Sequence, residues 1–312
     1  SAPTSSLSRH SRRLSPERST VLMEARDCDE ALRQVLPDFA FDRATAVAEQ
    51  GWDFWTFSVD GEWIFRFPRH DEAARAIEHE FVVLPVIAPR LPVAVPRYDW
   101  KGTWAGLPFG GYRLIRGEPY EPGAFTVPTI ATALGEVLHA LHGIPVELAA
   151  AKLEEDSSGA GWIDSQRRFL VKARDAIPLL EPGLVAHLDM LIAAYLELAA
   201  SGWPPALVHN DLGPVHVIGR SDQVAGLIDW SDMTIGDPAV DFAGILARSG
   251  QSAFRAVEKA YGRPGGPAFA RRVRYYACVA PLHDVLHGIA TGDAAILRDG
   301  IEGFARRQAL LD

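Results

Sequence analysis

The stretch Leu207-Val208-His209-Asn210-Asp211-Leu212-Gly213-Pro214-Val215-His216-Val217 decides the fold, read with Ile228-Asp229-Trp230 and Gly236-Asp237-Pro238-Ala239-Val240-Asp241 further on. The apolar run Ala206–Val208 ends on His209-Asn210-Asp211. His216 precedes another apolar pair, Val217-Ile218, and the run over 224–228 ends on Asp229. Short apolar runs bounded by Gly, Pro and Asn predict buried strands joined by turns. Asp211, His216 and Asp229, each able to bind a metal or take a proton, therefore stand at strand ends. There the backbone is held and the side chain emerges into a cleft.

Phosphoryl transfer needs this kind of set. The transferred group is mainly positioned and electrostatically stabilised, so the protein supplies metal ligands and an acceptor for a hydroxyl proton. The frame here is His-Asn-Asp-x-x-x-x-His, followed by Asp229-Trp230-Ser231. It resembles the H-R-D-x-x-x-x-N and D-F-G segments of protein kinases. It resembles more closely the aminoglycoside and macrolide phosphotransferases, both in 209–216 and in the paired 228–230 and 236–241 segments.

The resemblance implies an α+β, bilobal, protein-kinase-like fold. A disordered tail would cover residues 1–24. A small N-terminal lobe with an antiparallel sheet would cover 25–116 and bind nucleotide. A larger, mainly helical lobe would cover 117–312 and hold the catalytic and acceptor sites. Asp211 would be the catalytic proton acceptor, and His216 and Asp229 the magnesium ligands. Most kinases carry Asn where His216 stands, and macrolide kinases resemble this chain in having His. His209 and Asp241 would hold the catalytic loop, and Ile228 would lie against the nucleotide. The implied cofactors are Mg2+ with ATP or GTP as donor. The implied acceptor is a hydroxyl of an antibiotic, an aminoglycoside of the 2''-type or, alternatively, a macrolide at its 2'-position.

The N-terminal part fits that outline. Residues 27–36 have a helical pattern, with Asp27 or Asp29 as cap and Pro37 as terminator. Strand-like runs follow over 45–49, 54–59 and 63–67, with Asp60-Gly61 as a hairpin signal. Gly51 and Asp53 stand where a phosphate-covering loop would be. In the run 64–68, Ile64 and Arg66 share one face and Phe65 and Phe67 the other. Arg66 occupies the place of the kinase lysine that holds phosphates, and Arg69 is a second candidate for that contact. Residues 70–84 read as a helix stopped by Pro85, with Ile77, Phe81 and Leu84 as its apolar stripe. That stripe carries Glu80 inward, where an unpaired carboxylate would be costly, so Arg66 is its expected partner. A strand over 97–100 and a turn at Lys101-Gly102 lead to the hinge-like segment 110–119. Arg113, Leu114 and Ile115 are expected to face the base of the nucleotide.

From Pro128 the pattern is helical, apart from the strand-like runs within 206–228, and it is helical again after Asp241. Helices are expected over 162–177, 184–200, 253–261, 268–289 (kinked at Pro281) and 294–311. His139 and His142 read as packing residues. Glu154, Asp156 and Asp284 are candidate acceptor-binding carboxylates. With 312 residues, 48% hydrophobic and 23% charged, the chain can bury a large core. A net charge of −9 argues against nucleic-acid binding. No apolar run is long enough to span a membrane, and the two cysteines have neither disulfide nor zinc spacing. A cytoplasmic, monomeric protein is the expectation. Two other classes stay open: a metal-dependent hydrolase built on His209, Asp211, His216 and Asp229, and a nucleotide-binding module without catalysis.

Overall fold

The computed structural model describes residues 22–48, 50–176, 185–200, 202–220, 222–263 and 265–310. The expected tail up to residue 21 lies outside them. Glu24 already belongs to the fold: it caps α1 (Ala25–Val35) in a reciprocal box with Asp27, and Asp29 instead accepts the Ala44 amide at 2.8 Å.

An antiparallel sheet follows, made of β1 (Ala44–Ala46), β2 (Phe54–Val59), β3 (Trp63–Pro68), β4 (Tyr98–Trp104) and β5 (Leu107–Arg113), in the order β1-β2-β3-β5-β4. α2 (Asp71–Ile87) crosses between β3 and β4. Strand alternation sends Phe57, Phe65, Phe67 and Phe109 to the α1 side, while Phe54 packs with Ala73 and Ile77 of α2.

Two expectations fail here. α2 does not stop at Pro85; the proline sits inside it and the helix runs to Ile87. Proline removes the bond to the carbonyl four residues back, and Lys101 Nζ reaches that Phe81 oxygen at 3.5 Å. Lys101-Gly102 is not a turn but the middle of β4, which reverses instead at Ala105-Gly106, both at positive φ. Gly102 serves close packing: a Cβ there would lie 2.6 Å from Val35 and 2.7 Å from Phe109.

The chain leaves the sheet at Arg113 and forms β6 (Glu118–Pro119), α3 (Pro128–Leu141), α4 (Val146–Leu153), α5 (Ala160–Ala176) and α6 (Val185–Ala200). β7 (Ala206–Val208), β8 (Val217–Arg220), β9 (Gln223–Leu227) and β10 (Thr234–Gly236) follow. α7 (Ala239–Tyr261), α8 (Gly266–Val279), α9 (Pro281–Thr291) and α10 (Ala294–Arg307) complete the fold. α7 is kinked at the non-helical Gly250 (φ 83°): the part after it fits the helix expected over 253–261, and the part before it extends back to Ala239. The expected kink at Pro281 is a break between α8 and α9. The helical part surrounds one large core containing Trp230, Phe242, Phe254 and Tyr275. The architecture is thus bilobal and protein-kinase-like. Among the described residues no helix is long and apolar enough to cross a membrane.

Candidate active site

Two antiparallel pairings bring the key loops together. β7 pairs with β10, with Val208 opposite Thr234, so the loop leaving β7 and the loop entering β10 share one end. β8 pairs with β9, with Val217 opposite Leu227. His216 and Ile228 are therefore neighbours, and the Ile228 amide donates to the His216 carbonyl at 3.0 Å. This places 209–216 beside 228–233.

Both loops turn sharply at a carboxylate or its neighbour. Asn210 (φ 68°) and Asp229 (φ 61°) adopt the left-handed conformation, which Asn and Asp tolerate better than most residues. Asp241 fixes the first loop: its carboxylate accepts the His209 amide at 3.0 Å and the Asn210 amide at 2.8 Å. His142 Nε2 lies 2.9 Å from the same carboxylate, and His142 Nδ1 lies 2.9 Å from the Tyr261 hydroxyl. His209 is fully buried and hydrogen-bonds the Ile228 carbonyl at 3.0 Å. Burial lowers its pKa, so it is a neutral strut between the loops. His139 bonds the Tyr261 carbonyl.

His216 stands between the two carboxylates. Its Nδ1 is 3.5 Å from Asp211 Oδ2, and its Nε2 is 3.8 Å from Asp229 Oδ2. Nδ1 also lies 2.7 Å from the Asp211 carbonyl oxygen. A carbonyl cannot donate, so Nδ1 carries a proton, and Nε2 faces Asp229. With Nε2 unprotonated, the imidazole nitrogen and the carboxylate oxygen would present two lone pairs to one cation. Magnesium–ligand distances of ~2.1 Å allow two ligands up to about 4.2 Å apart. Among the described residues no three metal-capable side chains close on one point. That is the usual condition of magnesium sites completed by phosphate oxygens and water.

Asp229 is tied to the N-terminal sheet. Arg66 Nη2 donates to Asp229 Oδ1 at 2.8 Å, and Ser231 donates to the same oxygen at 2.8 Å. Arg66 Nη1 donates to Glu80 Oε1 at 2.6 Å, and Tyr98 donates to Glu80 Oε2 at 2.8 Å. The guanidinium also lies 3.9 Å from the Phe54 ring centroid. Burial works against the Arg66 charge, but Glu80 and Asp229 outweigh it and keep the group cationic. Burial also pushes Asp229 upward; Arg66, His216 and Ser231 reverse that and hold it below the usual carboxylate range. Asp211, with its side chain 58% exposed, is shifted upward, with loss of hydration the largest cause.

Sequence reasoning missed Asp232. Confinement in the cleft, with the charges of Asp211, Asp229 and Asp53, pushes its carboxyl up to about 7. Its rim is open to solvent, so the three neighbouring charges are the more durable part of that shift. The signal was available: it is the second acid in Asp229-Trp230-Ser231-Asp232.

The other candidates scatter. Asp53 Oδ1 lies 3.0 Å from His70 Nε2, next to the loop at Gly51. Trp52 from that loop stacks on His287 of α9, with centroids 3.8 Å apart and planes 3° from parallel. Ile64 is buried on the Arg66 face of β3. Arg69 lies over Trp55, not beside Arg66. In the hinge-like segment the Leu114 amide already donates to the Glu62 carbonyl at 2.8 Å, and the Arg113 side chain lies over Trp63. Ile115 packs where a Cβ on Gly226 would be. Asp156 bonds Ser158 in a local turn and Glu154 is a left-handed helix cap. Glu155 between them holds Thr234 and the Ile235 amide. Asp284 is half-buried and interacts electrostatically with Asp211, so it alone of the three acceptor candidates is seen to share the Asp211 neighbourhood. Asp237 is structural, buried against Arg272 and Tyr276.

The phosphotransferase enzyme family model matches residues 45–280. The chain belongs to that family. This phosphotransferase is 29% identical over 198 residues to viomycin phosphotransferase of Streptomyces vinaceus, covering 61% of the chain and 67% of that protein. It is 33% identical over 142 residues to homoserine kinase of Mesorhizobium japonicum, covering 45% of the chain and only 42% of that enzyme. Its fold matches the GDP and kanamycin complex of APH(2")-IIia with a TM-score of 0.80, at 23% identity, over 90% of this chain and 98% of the other. It also matches the macrolide 2'-phosphotransferase MphH of Brachybacterium faecium with a TM-score of 0.69, at 26% identity, over 88% and 96%. The enzyme is thus an antibiotic-phosphotransferase relative with a hydroxyl as acceptor.

Proposed function

We propose that this phosphotransferase is a magnesium-dependent kinase that moves the γ-phosphoryl group of ATP or GTP to a hydroxyl of a small antibiotic. An aminoglycoside is the first acceptor class to test and a macrolide the second. The observation that carries it is the convergence of Asp211 and Asp229 on either side of His216. Asp211 takes the proton of the acceptor hydroxyl and orients its oxygen for in-line attack. Asp229 and His216 hold the metal that accompanies the triphosphate, which would neutralise charge on the phosphates. Arg66 fixes Asp229 and stands toward the phosphates, while Glu80 keeps Arg66 in place. Gly51 and Asp53 cover the phosphates, and Ile64, Ile115 and Ile228 line the base. The Leu114 amide is already bonded, so base recognition falls on other atoms of 113–115.

Support for the donor comes from relatives solved with GDP, ADP or ATP. Support for the macrolide alternative is His216 itself, together with the MphH likeness. The hydrolase reading is less well supported, because among the described residues no three metal-capable side chains close on one point. The test is nucleoside-diphosphate release with ATP and with GTP across kanamycin, viomycin and erythromycin. Acceptor-dependent release that needs magnesium supports the proposal; nucleotide binding without transfer to any acceptor refutes it in favour of a binding module.

A further inference from the structure

Tyr98 reaches the Arg66–Glu80 pair across a whole strand. β5 lies between β3, which carries Arg66, and β4, which carries Tyr98. The β5 residue paired with Arg66 is Gly110, and a Cβ there would lie 2.5 Å from Tyr98 Cδ1 and 2.6 Å from Phe81. The Tyr98 ring thus crosses the sheet through the space that a side chain at Gly110 would fill. Phe81 and Tyr112 hold the ring edge-on, with centroids 4.8 Å and 5.3 Å away. The β4–β5 register shifts between Tyr98 and Trp100, the kind of bulge that re-aims a side chain.

The phenol meets both members of the pair. It donates to Glu80 Oε2 at 2.8 Å and accepts from Arg66 Nη1 at 3.4 Å. Glu80 Oε1 accepts from Arg66 Nη1 at 2.6 Å, so the two carboxylate oxygens are engaged by two different residues. Arg66 Nη2 is left for Asp229 Oδ1, at 2.8 Å. A guanidinium does not divide itself in this way before a carboxylate with both oxygens free. It takes the two oxygens side by side, through two parallel N–H···O bonds. Glu80 is wholly buried, where water screens that attraction least, so the closed fork is the competing arrangement. Phe54 covers one face of the guanidinium at 3.9 Å, which leaves rotation within its own plane as the way to reach it.

We propose that Tyr98 is a positioning residue: its hydroxyl denies Arg66 the second oxygen of Glu80 and so directs Nη2 to Asp229 in the other lobe. Without the hydroxyl, both Nη groups close on Glu80, and Asp229 Oδ1 is left with Ser231. The consequence for magnesium–nucleotide rests on the kinase function proposed above, whereas the division of the fork belongs to the free protein.

The test uses the full chain and Tyr98→Phe, which keeps the ring and removes the hydroxyl alone. Without nucleotide, hydrogen exchange is followed at the Met233 amide, which donates to the Trp230 carbonyl in the Asp229 loop at 3.1 Å. It should exchange about fivefold faster or more in Tyr98→Phe. The Leu36 amide, bonded to Leu32 at the end of α1, should exchange as in wild type. With magnesium and fluorescent ATP or GTP analogues, Kd should rise about five- to tenfold, roughly the loss of one hydrogen bond. In an Arg66→Lys background the same change should leave Kd within about twofold, because a single ammonium has no fork to redirect. Unchanged exchange at Met233, equal acceleration at Met233 and Leu36, or Tyr98→Phe and Arg66→Lys losses that multiply would each overturn the proposal. A Tyr98→Phe chain that does not fold would make the hydroxyl a folding determinant and overturn it as well. A wild type that binds no magnesium–nucleotide brings down the kinase function, and the exchange comparison alone then decides the fork.

Discussion

Arg66 and Asp229, 163 positions apart, are joined by a 2.8 Å hydrogen bond that ties strand β3 to the loop after β9. The same guanidinium closes on Glu80 at 2.6 Å, so one cation holds a sheet, a helix and the candidate metal loop. Arg66 and Glu80 are almost wholly buried. Removing one partner of such a pair strands the other charge, which typically costs about 3–5 kcal/mol. Arg66→Ala should therefore lower stability by an amount in that range, read from the urea midpoint. Arg66→Lys should fold better yet bind nucleotide more weakly, because one ammonium lacks the fork that reaches both carboxylates. Equal nucleotide affinity for wild type and Arg66→Lys would rule out the bridging role.

Much of this arrangement was legible in the chain. Strand alternation put Arg66 opposite Phe65, helical spacing put Glu80 among Ile77 and Leu84, and the two converged as those periods require. The reach of Arg66 to Asp229 was not legible, because periodicity speaks of neighbours within an element and not of loops from different lobes. Lys101-Gly102 misled because glycine marks turns and close packing alike, and only the positions of Val35 and Phe109 decide between them. Pro85 misled because a lysine from another strand caught the carbonyl that the proline freed. Asp232 was overlooked because acids in a loop carry no period, and two of its charged neighbours, Asp211 and Asp53, come from elsewhere in the chain.

Asp241 accepts two backbone amides of the candidate catalytic loop in a fully buried setting. Asp241→Ala leaves both amides without their partner, at about 1–3 kcal/mol each. The expected outcome is a lower melting temperature and faster hydrogen exchange at His209 and Asn210. Unchanged exchange at those two amides would contradict the clamp.

Asp232 gives a pH signature. Its folded-state carboxyl is raised from 3.8 to about 7, so between those values the fold holds a proton that the unfolded chain has lost. Its contribution to stability therefore declines as pH rises through that window. Asp229 is shifted the other way, so it stays ionised throughout and its contribution is lost only in strong acid. Urea unfolding at about pH 5 and about pH 7.5 should show a smaller decline for Asp232→Asn than for wild type. Bound magnesium should erase the difference; an identical decline in both proteins would place the titration elsewhere.

Trp52 and His287 join the Gly51 loop to helix α9 through a parallel stack. Trp52→Ala and His287→Ala should each weaken nucleotide binding a few-fold, and the double substitution should do no more than either alone, because residues in contact do not act additively. Fluorescent ATP and GTP analogues measure this directly. Fully additive losses would mean that the two rings act separately.

The most direct test of the central claim follows transfer of labelled γ-phosphate from ATP or GTP to an accepted alcohol, comparing wild type with Asp211→Asn. Asp211→Asn should lose transfer by two or more orders of magnitude, roughly the scale of general-base catalysis, while binding magnesium–nucleotide as wild type does. Transfer by Asp211→Asn at a rate near that of wild type would contradict the assignment of the proton acceptor and the site built around it.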